Sequence, residues 1–287
     1  MTVAVVSVFL IAAIYKSSEW TFGSRIYLRM VGLANANSSQ YGRGTTIEKV
    51  PPAFLRGLSV VDAANLNDIL RQFTETADKA ELTYIMYWGT LIGAFRHHGR
   101  VPWDDEIDLL LPNSQKKRLL AAMAPLAPRY SIVKSATYRW KFFASNSTAI
   151  KHYNWKFPFI DLSFYYENET TLWDLDPGFR RRNTYRKSDV FPLCRRPFSP
   201  LMLPAPRNTP VFLRQQFDIE NCVSSSWSHS AESRIAKAGQ VTMPCKKLWG
   251  VLPFVFRTRT SHGTNETLKI GSRVIDWKLI TGCVDVS

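Results

Sequence analysis

Four carboxylates fill five positions at Asp104-Asp105-Glu106-Ile107-Asp108, and the apolar run Leu109-Leu110-Leu111 follows at once. A strand alternates its side chains between two faces. Asp104, Glu106 and Asp108 are therefore expected on one side and Asp105 on the other. Three like charges beside a buried strand repel strongly when bare. A divalent cation relieves that repulsion, and carboxylates with open positions suit Mg2+ or Mn2+, which readily add phosphate oxygens as ligands. The plainer reading is an acidic edge open to water, but the flanking Trp103 and Ile107 to Leu111 argue for burial. Asp161 is a lone charge in the apolar run Phe157-Pro158-Phe159-Ile160-Asp161-Leu162-Ser163-Phe164. A buried Asp needs a partner or a metal; backbone amides are the alternative. If the two runs are neighbouring strands, Asp161 lies beside Asp108. Gly89-Thr90, at the start of a helix, offers amide donors and a positive dipole end to a phosphate, though such a pair is often only a turn.

Stepping outward along the chain, these residues need strands and helices to position them. Val61, Ala64, Leu66, Ile69, Leu70, Phe73 and Ala77 recur at helical spacing and predict an amphipathic helix over 60–80. Leu82 to Tyr87 reads as a short strand, and a helix follows from Gly89-Thr90 through His97. Ile107 to Leu111 reads as a buried strand ending at Pro112-Asn113. A further helix is expected over Ser114 to Ala124, capped by Asn113 or Ser114. Tyr130–Val133, Trp140–Ala144 and Phe157–Tyr166 read as strands. This mixture predicts an α/β (α+β) domain with helices packed on a small mixed sheet. The last third is rich in Pro and basic residues and suggests a less regular extension.

The stretch Tyr87-Trp88-Gly89-Thr90-Leu91-Ile92-Gly93-Ala94-Phe95-Arg96-His97-His98-Gly99-Arg100-Val101-Pro102-Trp103-Asp104-Asp105-Glu106-Ile107-Asp108 resembles the signature of the LicD family, which includes fukutin and the fukutin-related protein. Phe157 to Leu162 is similar to that family's later aspartate strand. Asp189-Val190-Phe191-Pro192-Leu193 and Leu203-Pro204-Ala205-Pro206-Arg207-Asn208 are similar to a further segment of it. The likeness covers about residues 60 to 218. It implies a nucleotidyltransferase-type fold and transfer of a phospho-alcohol, such as phosphocholine or ribitol phosphate, from a CDP-linked donor to a glycan. On the family pattern Gly89 and Thr90 match the glycine-plus-hydroxyl motif, Glu106 and Asp108 the paired metal carboxylates, and Asp161 the third. Glu106 departs from the Asp common in bacterial members. With Asp104 these form the expected metal and catalytic set, and Mg2+ or Mn2+ is the expected cofactor. Arg96 and Trp103 are candidates for donor phosphate and base, with His97 and His98 near Arg96. The plain readings are a solvent-exposed helix end and a core tryptophan. Two other functions fit the same acids: a nucleotide-sugar glycosyltransferase, and an inactive binding protein.

The 287 residues carry 37 Lys and Arg against 23 Asp and Glu, a net charge of +14. They are 45% hydrophobic and 13% aromatic, which excludes an acidic disordered tail, a collagen-like repeat and a coiled coil. The basic residues cluster at Arg180, Arg181, Arg182, Arg186, Lys187, Arg195 and Arg196, as a solvated surface or a lure for an anionic substrate. Val3 to Tyr15 is almost continuously apolar but short for a bilayer span, so residues 1–16 are expected to be a signal peptide or signal anchor. Sequons at Asn37, Asn146, Asn168 and Asn265 add to that reading. The expected site is the secretory lumen, as a single-pass type II Golgi membrane protein or a secreted one; nucleic acid is not an expected partner. Cys194, Cys222, Cys245 and Cys283 suggest two disulfides, with three pairings open. The expected organisation is a stem over 17–58, the catalytic domain over 59–218 and a basic, cysteine-containing extension over 219–287.

Overall fold

The computed structural model describes residues 50–134 and 138–284. The apolar run before Lys16, most of the expected stem and the Asn37 sequon lie outside them. Among the described residues no helix is long and apolar enough to cross a membrane. The packed region starts earlier than residue 59. Phe54 is fully buried and meets Trp103 edge-on, ring centroids 4.8 Å apart.

Helix α1 (Val60–Lys79) begins where Ser59 accepts the Asp62 N–H at 3.0 Å and donates its hydroxyl to Asp62, which satisfies an otherwise free donor of the first turn. It buries Ala63, Leu66, Ile69, Leu70, Phe73 and Ala77. Val61, expected on this stripe, is 76% exposed, because the buried face starts two residues later, at Ala63. Strand β1 is only Ile85–Met86, and α2 follows at Trp88–His97. After β2 (Ile107–Pro112), a 3-10 turn over Asn113–Gln115 leads into α3 (Lys116–Met123). Neither Asn113 nor Ser114 caps α3. Gln115 precedes it, and its side-chain oxygen accepts the Thr83 N–H at 2.8 Å instead.

Strands β3 (Tyr130–Lys134), β4 (Trp140–Ala149) and β5 (Lys156–Glu167) complete the main sheet in the order β1-β2-β5-β4-β3. Short strands β6 (Thr171–Asp174) and β7 (Thr184–Arg186) extend it from the end of β5. The β2–β5 pair is parallel and the others antiparallel, so the sheet is mixed. Every residue of β2 is buried, as expected for a strand covered on both faces. Helix α1 packs on β4 and β5, and α2 on β2. The result is the expected mixed α/β fold.

Beyond β8 (Cys194–Phe198) and β9 (Leu201–Ala205) the expected irregular extension is built mostly of short β pairs. These are β10 (Asn221–Val223) with β13 (Thr242–Pro244), and β11 (Trp227–Ser228) with β12 (Ser233–Arg234). A regular antiparallel meander closes the chain: β14 (Phe254–Thr260), β15 (Gly263–Ile270) and β16 (Arg273–Ile280). Of the three possible cysteine pairings the structure has Cys194–Cys283 and Cys222–Cys245. The first bond ties the chain end to β8.

Glu266 of β15 locks the meander to the core. It is fully buried and faces two guanidinium groups and an imidazole: Arg196 and Arg257 at 2.7 Å each and His98 at 2.9 Å. Burial alone would raise its pKa. The His98 hydrogen bond and the two guanidinium charges outweigh burial and bring it down to about 2. Arg196, grouped by sequence with the surface cluster, is thus a buried partner of Glu266, whereas Arg180, Arg181, Arg182 and Arg186 are exposed.

Removing one side of such a cluster leaves buried charge uncompensated, at roughly 3–5 kcal/mol. Glu266→Gln is therefore expected to lower the unfolding free energy obtained from a urea titration by that amount. A lowered folded-state value also stabilises above the unfolded value of 4.5 and loses that stability as pH falls toward about 2. Wild-type stability should decline between those two values, and Glu266→Gln should flatten that part of the profile.

Candidate active site

The register of two strands makes the site. In the parallel β2–β5 pair Asp108 is level with Asp161, and in the antiparallel β4–β5 pair Asp161 is level with Lys141. Asp108, Asp161 and Lys141 thus stand abreast across three neighbouring strands, all nearly buried. Lys141 Nζ lies 2.6 Å from Asp161 Oδ1, so the partner of this lone aspartate is a lysine and not backbone amides.

Glu106 joins Asp108 and Asp161, with one carboxylate oxygen of each within 4.8 Å of the others. Glu106 Oε2 is buried and has no hydrogen-bond partner. Asp104 and Asp105 instead group with His229, also within 4.8 Å. The expected one-face alternation of Asp104, Glu106 and Asp108 does not hold, because β2 starts only at Ile107 and the three acids before it lie on a loop.

Electrostatics mark the cluster as short of positive charge. Burial first, then the neighbouring carboxylates, raise Asp108 well above the ordinary carboxylate range. Glu106 is raised to about 7 by burial and Asp161, against the pull of His229, and burial takes Asp104 to about 6. Protein cations face these acids at several points, with Arg100 acting on Asp104. Lys141 is at Asp161, and His229 lies between Asp105 and Glu106. Arg139 is held charged, against burial, by Asp161, Asp108 and Glu106, its guanidinium 4.8 Å over the Phe179 ring. A divalent cation would match the remaining deficit, and Glu106, Asp108 and Asp161 are the residues that could hold it.

Helix α2 presents its first turn to these acids. Trp88 opens it at φ +39, a backbone conformation that L side chains adopt only under constraint. At Gly89 a Cβ would collide with Asp104 Oδ2 and sit 3.7 Å from Asp108 Oδ2, so a larger residue here would have to displace the Asp104 carboxylate. Thr90 Oγ1 accepts the Asp108 N–H at 2.7 Å and so holds β2 against α2. Gly89, Asp104, Glu106, Asp108 and Arg139 line a cleft of about 470 Å³.

Arg96, a candidate for donor phosphate, also borders this cleft. However, it donates to the carbonyls of Asp218, Ile219 and Asn221 at 2.9–3.1 Å and thereby clasps the start of the extension. His97 Nδ1 is 2.5 Å from the Pro253 carbonyl, and His98 is held by Glu266. Neither is a solvent-exposed helix end. Trp103 is 5% exposed and donates to the Val223 carbonyl at 2.9 Å, which fits its core reading. Among the sequon asparagines, Asn146 and Asn168 are exposed; Asn265 is half-buried, its side-chain oxygen shielded without a partner. Lys141, Arg139, Glu232 and His229 were missed by sequence reasoning. Lys141 carried the same signal as Asp161, a lone charge in an apolar run. His229 carried none, because the segment around it shows no periodicity.

Residues 81–208 match the family model described as LicD/FKTN/FKRP, nucleotidyltransferase domain. Over 53 residues the chain is 38% identical to the lipopolysaccharide cholinephosphotransferase LicD of Haemophilus influenzae, covering 18% of this chain and 20% of that protein. The match therefore spans about a fifth of that relative's length. A solved structure, ANT(2")-Ia in complex with adenylyl-2"-tobramycin, aligns over 48% of this chain and 67% of its own, with 13% identity and a TM-score of 0.34. The acids on β2 and β5 and the first turn of α2 all fall inside residues 81–208, the span that matches this nucleotidyltransferase-domain model.

Proposed function

We propose that the protein transfers a phospho-alcohol, of the phosphocholine or ribitol-phosphate kind, from a CDP-linked donor to a glycan or glycoprotein acceptor in a metal-dependent reaction. The observation that carries the reading is the convergence of Glu106, Asp108 and Asp161 around a buried, unpartnered Glu106 oxygen. The partial likeness to a cholinephosphotransferase supports the class of group transferred. The secretory pathway, with the amino-terminal run as anchor or signal, is the compartment that belongs with this reading, and two disulfides suit it.

Phosphoryl transfer depends mainly on positioning and on neutralising charge. Glu106, Asp108 and Asp161 would hold Mg2+ or Mn2+. When bound, such a cation supplies Lewis-acid neutralisation of the donor diphosphate. The chain's own residues do the rest. Lys141 fixes one oxygen of Asp161, and Thr90 fixes the backbone of Asp108. Arg139, without a hydrogen-bond partner among the described residues and bordering the cleft, is placed to grip a phosphate with its planar fork. Trp88, Phe179 and Phe217 wall the cleft beside it and limit water there. Asp161 already has one oxygen committed to Lys141, so Asp108 is the better placed of the two to accept the acceptor hydroxyl proton.

A second reading, an inactive binding protein of the same fold, draws on the same ion pairs. Lys141 on Asp161 and His229 on Glu106 supply protein counter-ions that lessen the need for a metal. A screen of CDP-alcohols against UDP- and GDP-sugars, read as nucleotide release with Mn2+ present, separates the readings. CMP release supports transfer of a phospho-alcohol. UDP or GDP release points to a glycosyltransferase, and tight nucleotide binding without turnover to a binding protein.

Asp108→Asn is expected to lower transfer by about 10³-fold or more, the scale on which charge-neutralising groups act in phosphoryl transfer. The same change removes a like charge from a crowded, buried set. In metal-free protein at pH 8 it should therefore raise Tm, by about 2–4 °C for each 1 kcal/mol of repulsion relieved. A fall in activity accompanied by a fall in Tm would point to a purely structural role. Arg139→Ala is expected to raise KM for the CDP-alcohol while leaving the fold intact by circular dichroism.

A further inference from the structure

The family match stops at residue 208, but the acid cluster is completed from beyond it. The β11–β12 hairpin sets His229 between two carboxylates. Its Nδ1 lies 2.6 Å from Asp105 Oδ1 and its Nε2 lies 3.0 Å from Glu106 Oε1. Its backbone N–H also donates to Asp105 Oδ2 at 3.1 Å. Both ring nitrogens face carboxylate oxygens, so both act as donors. The other Glu106 oxygen, Oε2, is the buried atom with no partner.

The hairpin does not hang free. Glu232, at φ +45, accepts the indole N–H of Trp155 at 2.8 Å and of Trp227 at 3.1 Å. Lys141 Nζ reaches Glu232 at 3.9 Å while it holds Asp161. Just before the hairpin, Ser225 donates to the Trp103 carbonyl at 2.8 Å. The Phe159 ring of β5 meets the His229 ring edge-on, with centroids 6.0 Å apart. The element that carries His229 is thus fastened to the same strands that carry Asp161.

Glu106 needs such a hold more than its neighbours do. Asp108 and Asp161 are short side chains on paired strands, whereas Glu106 has a longer, freer side chain on a loop. Freezing a glutamate side chain costs rotamer entropy. We infer that His229 is a positioning residue of the transfer site: clamped by Asp105, it fixes Glu106 Oε1 and so turns Oε2 toward the cation shared with Asp108 and Asp161. The extension is in that case part of the catalytic unit. The inference rests on the cation-dependent reading given above, but it is tested by binding and not by turnover.

The probe is Mn2+ alone, titrated into the full chain and followed by electron paramagnetic resonance of the free ion. His229→Ala is expected to weaken Mn2+ binding about 10–100-fold, the usual effect of losing a group that orients a metal ligand. His229→Gln, which keeps one donor, should recover part of the loss. Asp105→Asn, which frees the imidazole but touches none of the three ligands' oxygens, should weaken binding in the same direction. Equal Mn2+ affinity in wild type and a folded His229→Ala overturns the inference, as does a wild type that binds no Mn2+. If His229→Ala does not fold, the comparison of His229→Gln and Asp105→Asn with wild type decides in the same way. A wild type that binds Mn2+ but releases no CMP from any CDP-alcohol sinks the proposed reaction. The positioning role would then still be judged by the binding series.

Discussion

The architecture depends on a repulsive contact. Parallel pairing of β2 with β5 brings Asp108 level with Asp161, inside a sheet covered on both faces. Both carboxylates are nearly buried there, so their repulsion is screened less than it would be in open water. The strands on either side of this pair are the response to it. β4 brings Lys141 to Asp161, and the amino end of α2 comes close enough for Thr90 to bind the backbone of Asp108. The close approach in turn favours glycine at position 89 and goes with an uncommon backbone angle at Trp88. Natural proteins tolerate such local conflict where function needs it and offset it elsewhere.

Part of the offset lies far along the chain. Among the contacts between segments after residue 208 and the matched domain, three are charged or clasp a charged side chain at α2 and the acidic loop. His229 joins the acidic loop, the carbonyls of 218–221 receive Arg96, and Glu266 gathers Arg196, Arg257 and His98. Arg257 also donates to the Phe95 carbonyl and lies over the Phe95 ring, 3.5 Å from its centroid. The two ends of α2 are therefore treated differently. One faces the cleft, and the other is wrapped by the meander.

How far this was legible from sequence varied by residue, for physical reasons. Asp108 and Asp161 could be found because a charge inside an apolar run is costly and so informative. Their adjacency depended on pairing two strands, which β-periodicity suggests without proving. Asp104 and Asp105 were assigned to faces by strand alternation, and the rule failed because the strand begins two residues later than Asp105. Arg96 looked available to a phosphate since nothing in sequence reveals a backbone carbonyl 122–125 residues away. His229 sits in the turn just after a two-residue strand, held by tertiary contacts, and no local pattern announces such an element.

The Cys194–Cys283 bond bridges 89 positions, and every extension contact just described falls within that span. A protease that nicked the surface anywhere between those two cysteines would cut the polypeptide without freeing either piece. The fragment bearing His229 and Glu266 would stay covalently moored to the part bearing Asp108 and Asp161. Reduction followed by the same nick is the condition under which that mooring is lost.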